Sequence, residues 1–483
     1  MTSTPNDPTD PGDPELSDHQ VADESGEPHL GLGASDTPVE GTRPGRRRFI
    51  GMLAGGAAGA AAGTVWYTQR GAVDENAASP ATTTTSSTTS TSTTTSTTTT
   101  TTRPAPPFTE APAPTVVADP ERTLVVIELN GGNDGLATLV PYTSDRLSIL
   151  RPTLMPAIDE LVLVDDEFGI TKNLEQSWNQ GIGVLQGAGI PNGSGSHFEM
   201  ERRWWSGTET GTDLSPTGFL GRLCDELDRG DPITGLSLGT RRSPAMLSAK
   251  PVTAGLTSPS VAWWVGQQSR WFDNLRAGIA AMSATNTSDT STMALAREGL
   301  GNALDFAEVL NNVEVDGVAD SYPDNELGWQ LAVAAEVIGA NSGVRIFHIT
   351  HGNFDTHDDQ RGTHDHLLRQ LDSSLSTFRS DLAERGIADD VLIATTSEFG
   401  RRPQQSGTGT DHGAASLSLL AGPVNTGLLG EAPSLSQLDS NDNLVPTISM
   451  SSFYATLADS WFGVSPDLLL ENNPTAVADI IRG

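Results

Sequence analysis

From about residue 122 onward, apolar residues come in short unbroken runs, each stopping at a polar, glycine-bearing turn. "RTLVVIEL" (122–129) runs into "NGGNDG", "GVRIFHIT" (343–350) into "HGNFDTH", and "DVLIATTS" (390–397) into "EFGRR". A run of this length, apolar at nearly every position, predicts a strand buried on both faces. "ELVLVDD", "GVLQGAGI" and "SLSLLAG" are predicted as further strands. Between the runs the period changes. In "HLLRQLDSSLSTFRSDL", Leu367, Leu368, Leu371, Leu375, Phe378 and Leu382 recur at spacings of three and four, which predicts a helix with one apolar face. "NELGWQLAVAAEVIGAN" is apolar over much of its surface and predicts a buried helix. Strands alternating with helices predict an α/β fold, a three-layer, mostly parallel central sheet with helices on both faces. Ligands in such folds bind beyond the carboxyl ends of the strands. Residues 240–325 show no strand pattern and are expected to form a largely helical insertion.

The first 118 residues have a different character. Residues 1–45 carry ten acids and hardly any large apolar side chain, so they are expected to be a disordered acidic tail. Residues 46–70 join Arg46, Arg47 and Arg48 to 19 uncharged residues, Phe49 to Tyr67, mostly Ala and Gly. Arg46-Arg47-x-Phe49-Ile50 resembles a twin-arginine export signal, which makes the twin-arginine translocase the expected partner in transit. At about 1.5 Å per residue the apolar segment reaches roughly 28 Å, close to a ~30 Å bilayer core. Cleavage and retention as an anchor both stay open, and this segment is the only expected membrane contact. Residues 71–118 are a linker containing an unbroken Thr/Ser run from 82 to 102. The domain proper is expected at 119–483, placed outside the cytoplasm by the positive-inside rule.

Charge and cysteine count narrow the chemistry. The formal net charge is −33, and the chain beyond residue 103 still holds 49 acids against 22 bases. Such a surface repels nucleic acid and anionic lipid, which excludes nucleic-acid binding. Cys224 is the one cysteine, so neither a disulfide within the chain nor a cysteine-built zinc site can form. Its place at an apolar position in "FLGRLCDELDRG" predicts a buried, inert thiol.

The three turns carry metal-type ligands: Asp134 in the first, Asp355 and His357 in the second, and Glu398, Asp411 and His412 in and beyond the third. Singly each reads as a turn. Massed at one sheet edge without a cation, the carboxylates would repel each other and raise their pKa values. A divalent ion resolves that repulsion, and Asp, His and Glu suit Zn, Mn, Mg or Ca. His348 lies inside a strand and reads as a core residue, and neither His364 nor His366 is counted as a ligand. Ser196 and Glu199 fit a capping box at a helix N-terminus. The same serine near metal could act as a nucleophile, with His197 binding metal or substrate. The pairs Trp204-Trp205 and Trp263-Trp264 read as core packing, with a sugar-stacking surface as the alternative.

Together, the twin-arginine signal, "LNGGNDGL", "SHF", "FDTH" and "SEFGR…GTDHG" resemble the exported bacterial family called domain of unknown function 1501, over about residue 122 to the C-terminus. That family is similar to the alkaline phosphatase and sulfatase superfamily, whose members place one or two metals at the carboxyl edge of a central sheet. The resemblance implies an alkaline-phosphatase-like fold, with metal ligands at Asp134, Asp355, His357, Glu398 and His412, and Asp411 as ligand or supporting partner. The sulfatase pattern Cys-x-Pro-x-Arg is absent, since Asp-Glu-Leu follows Cys224. The expected activity is hydrolysis of phosphate or sulfate esters of a small anionic or envelope-derived substrate. Arg401 would grip the anion with its planar fork, and Ser196 or water would attack. The rival expectation is a non-catalytic envelope or surface binding protein on the same fold.

Overall fold

Strand β1 (Thr123–Leu129) lies in the middle of a nine-stranded sheet, with all seven of its residues buried. The computed structural model describes residues 122–210, 215–239, 242–257, 270–284, 291–310 and 319–482. The acidic tail, the twin-arginine segment, the Thr/Ser run and Trp263-Trp264 lie outside the described residues. After β1 come β2 (Leu139–Pro141), β3 (Leu161–Leu163), β4 (Phe168–Thr171), β5 (Gly183–Gly189), β6 (Gly235–Leu238) and β7 (Thr253–Leu256). They are followed by β8 (Ile346–His351), β9 (Val391–Thr396), β10 (Arg401–Ser406), β11 (Gly409–His412), β12 (Ala415–Ala421), β13 (Gly427–Leu429) and β14 (Ile448–Ser449). The main sheet runs β13-β5-β12-β9-β1-β8-β6-β7, with β14 also paired to β5. β1 pairs in parallel with β8 and β9, and β6 in parallel with β7 and β8. β12 alone runs against its neighbours, antiparallel to both β5 and β9.

Among the described residues, helices of eight residues or more are α1 (His197–Ser206), α2 (Phe219–Leu227), α3 (Arg270–Ser283), α4 (Thr292–Leu310), α5 (Glu326–Gly339) and α6 (Gln360–Glu384). The alternation of β1 splits the core in two. Val125, Ile127 and Leu129 face a cluster built with α5 and α6, and Leu124 and Val126 face one built with α1, α2 and Phe453–Trp461. Each fully buried Val, Leu or Ile removes enough apolar area from water to contribute about 1.5–3 kcal/mol. The result is the expected three-layer, mostly parallel α/β fold.

"ELVLVDD" forms the expected strand, β3, which pairs with β4 in a separate three-stranded sheet. Three local expectations need correction. The segment expected to be helical carries β7, an edge strand of the main sheet, as well as α3 and α4. The polar stretch after β9 is a β10–β11 hairpin rather than a loop. The capping box does not form: Ser196 has the extended backbone of an N-cap, but its side chain makes no cap hydrogen bond, and Glu199 pairs with Arg203 instead. Cys224 is buried in α2, and Trp204 is buried in the core. No helix among the described residues is long and apolar enough to cross a membrane.

Candidate metal centre

The carboxyl ends of β1, β8 and β9 lie side by side, and the turns that leave them meet. Leaving β1, Gly131 and Gly132 take φ angles of +117° and +93°, which L side chains rarely adopt. A Cβ on Gly131 would sit 2.3 Å from the Asp355 amide nitrogen, so the β1 and β8 turns touch through bare backbone. The Gly131 amide donates to Glu398 Oε1 at 2.8 Å, which draws the β9 turn to the same point. Arg401 then clamps all three. Its nitrogens donate to the carbonyls of Gly131, Gly132, Phe354 and Thr410 and to Asp355 Oδ1, and its side chain has no exposed surface. The expectation that Arg401 grips a substrate anion therefore gives way: every nitrogen is engaged and none is open to solvent.

Around this clamp the histidines converge. Asp355 Oδ1 lies 2.9 Å from His412 Nε2 and 3.1 Å from His357 Nε2, and those two nitrogens are 2.8 Å apart. His412 Nδ1 donates to the Gly195 carbonyl at 2.7 Å, so in the neutral ring its Nε2 presents a lone pair to the other two atoms. Burial holds His357 below the ordinary imidazole pKa, with the Asp355 charge pulling the other way. Two imidazole lone pairs and a carboxylate oxygen aimed at one point need a proton or a metal ion between them, and this donor set suits a divalent ion. Burial would raise the Asp355 pKa. His412, which donates from Nε2 once its ring is protonated, and Arg401 outweigh it and hold that carboxyl well below the usual range. Asp411 stands 3.6 Å from His357 Nδ1, positioned to orient that ring rather than to join the convergence point.

His197, at the start of α1, bridges the cluster to a second group. Its Nε2 lies 3.3 Å from Asp355 Oδ2 and its Nδ1 2.9 Å from Glu398 Oε1. The hydrogen bond to Glu398 raises its pKa, opposed by burial and aided by the charges of Glu398 and Asp355. Among the described residues, two sets of three could hold a metal ion, each with its ligand atoms within 4.8 Å of one another: His197, Asp355 and His412, and His197, Glu201 and Glu398. Glu201 was not foreseen. It sits one helical turn beyond His197 and accepts from Asn130 Nδ2 at 2.6 Å. Burial and the neighbouring Glu398 and Glu128 charges raise its pKa.

Asp134 lies outside the convergence, which corrects its reading as a ligand. It is fully buried and caps the short helix Gly135–Thr138 by accepting from the Leu136 and Ala137 amides. Its other oxygen accepts from Arg151 at 2.7 Å and Gln360 at 2.5 Å, so its lone pairs are spent. His364 and Asn133 complete this inner knot, with the His364 ring bonded to Asn133 Oδ1 at 3.0 Å. His348 pairs with Glu128 in the core at 3.1 Å. Ser196 is exposed beside the cluster.

A family model described as "Protein of unknown function (DUF1501)" matches residues 206–462, just over half of the chain. Among solved structures, the lipoteichoic acid synthase LtaP from Listeria monocytogenes is 8% identical with a TM-score of 0.36, over 75% of this chain and 77% of that one. The PsFucS1 sulfatase from Pseudoalteromonas sp. is 12% identical with a TM-score of 0.34, over 74% and 73%. The alkaline phosphatase PafA is 11% identical with a TM-score of 0.28, over 59% and 64%. No curated protein matches the sequence.

Proposed function

The chain belongs to the DUF1501 family, and from that premise we propose that it is an exported, metal-dependent hydrolase of phosphate or sulfate esters. One observation carries the reading. Asp355, His357, His412 and His197 come from three distant segments and meet at one point on the carboxyl edge of the sheet. His197, Asp355 and His412 would hold a divalent ion, with His357 beside them, and His197, Glu201 and Glu398 form an alternative set that shares the His197 ring. An ion there supplies a Lewis acid for the charged oxygens of an ester.

The protein's own groups do the remaining work. Burial keeps the His357 ring inclined to the neutral form, with a lone pair to give. Arg401 fixes the direction of Asp355. Ser196 stands exposed at the N-terminus of α1 with its hydroxyl free of any cap bond, where the helix favours negative charge developing on oxygen. Arg46-Arg47-x-Phe49-Ile50 supports export through the twin-arginine translocase, with a small anionic or envelope-derived substrate met outside. The full engagement of Arg401 favours a second reading, a non-catalytic envelope binding protein on the same fold.

Assays with p-nitrophenyl phosphate and p-nitrophenyl sulfate test the choice. Hydrolysis should vanish together with the metal in Asp355→Ala, and vanish with the metal retained in Ser196→Ala. Bound metal without turnover of either ester would favour the binding protein, and turnover surviving in Asp355→Ala would end the hydrolase reading.

A further inference from the structure

A cavity of about 300 Å³ lies between the small β2–β4–β3 sheet and strands β5 and β12, and none of the residues of the ligand cluster lines it. Its walls are Leu139, Phe168 and Leu435, and its floor includes Gln186 and Gly187. The floor is built irregularly. The β5–β12 register slips between Ser416 and Leu417, and Gly187 fills the bulge with a φ of +74°. Gln186 is only 6% exposed, and the inward positions beside it, Val184 on the same strand and Leu417 opposite on β12, are apolar, yet its Oε1 has no hydrogen-bond partner. A leucine or methionine would fill that place without leaving a polar group unmet, so the amide calls for a partner from outside the chain.

The lining says what kind. Glu167 is the one charged residue among the described residues that line it, and no lysine, arginine or histidine does. The cavity therefore does not take the anionic group of an ester. Gln186 Oε1 and the Glu167 carboxylate both accept hydrogen bonds, which suits hydroxyl donors, while Phe168 and the leucines suit the C–H face of a ring. We propose that this cavity is a binding site for one neutral sugar ring, separate from the metal centre.

Ligand-observed NMR titration of the full chain tests this, with N-acetylglucosamine and methyl β-D-glucoside as probes and uridine as a non-sugar control. The expected result is saturable binding of a sugar that persists in EDTA and weakens about tenfold in Gln186→Met. That variant should melt no lower than the parent in sugar-free buffer, because it removes an unmet buried amide. Phe168→Leu, at the partly exposed wall, should weaken sugar binding as well. Four results would overturn the proposal: no saturation by either sugar, binding untouched by both substitutions, binding lost in EDTA, or saturation by uridine instead of a sugar.

Discussion

Asp134 and Asp355 follow neighbouring parallel strands of one sheet, and both have the sequence setting of a metal ligand. The structure treats them in opposite ways. Asp134 is closed off from water and meets its positive charge inside the chain, at Arg151, which also donates to the Pro403 and Arg402 carbonyls. Asp355 is 44% exposed; it too meets an arginine, Arg401, but that guanidinium is shared with four backbone carbonyls, and the other groups massed beside Asp355 are histidines, which carry charge only when protonated. The first carboxylate is a cornerstone and the second is a ligand in waiting. What separates them is closure: every Asp134 lone pair is met inside the chain, as a buried carboxylate requires, while Asp355 keeps an exposed edge toward the histidines.

That contrast is sharpest under truncation. Asp134→Ala leaves the Arg151 guanidinium buried and unpaired, and should cost about 3–5 kcal/mol in urea unfolding. Asp355→Ala, at a half-exposed site where four backbone carbonyls still accept from the buried Arg401, should cost less, about 1–3 kcal/mol, while removing bound metal. Similar losses for the two would break the comparison.

The inner knot should also dominate the acid limb of stability. Burial lowers the His364 pKa from 6.5 to about 4, so the folded protein keeps the ring neutral where an unfolded chain would protonate it. The unfolded state then binds more protons between about pH 6.5 and 4, and stability falls as pH drops through that window, by on the order of 3 kcal/mol. His364→Gln should flatten that limb, as followed by melting temperature against pH. An equally steep limb in the variant would assign the loss to other groups.

Next in size is the turn that builds the open cluster. Gly132→Ala places a Cβ 2.5 Å from the Phe399 ring at a φ of +93°, and should cost about 1–3 kcal/mol. It should also weaken metal binding, because Phe399 follows the candidate ligand Glu398; equilibrium dialysis against zinc would read this. The smallest effect belongs to Ser196. A capping serine replaced by alanine ordinarily costs about 1 kcal/mol, but this hydroxyl caps nothing, so Ser196→Ala should stay within about 0.5 kcal/mol of the parent. A larger loss would restore the cap.

The parts legible in the sequence were those written in apolar periodicity. β1, β8 and β9 stood out because burial on both faces demands unbroken apolar runs, and α6 because its leucines share one face. The direction of β12 was not legible, since an apolar run reads the same either way along the sheet. The β10–β11 hairpin was hidden in "RRPQQS", which is polar throughout and holds a proline. Glu201 had a signal that went unused: four residues after His197 on a helix, it must share that face. Arg401 and Asp134 show the opposite limit. Their residue types fit a site, but only coordinates reveal that their hydrogen bonds are already taken.

Elemental analysis of the 483-residue chain, alongside Asp355→Ala and Asp134→Asn, separates the two carboxylates outright. The expected result is about one or two equivalents of Zn, Mn, Mg or Ca, absent from folded Asp355→Ala and retained by folded Asp134→Asn. A folded parent with no metal and no affinity for added ions would contradict it, and so would metal that leaves with Asp134 and stays without Asp355.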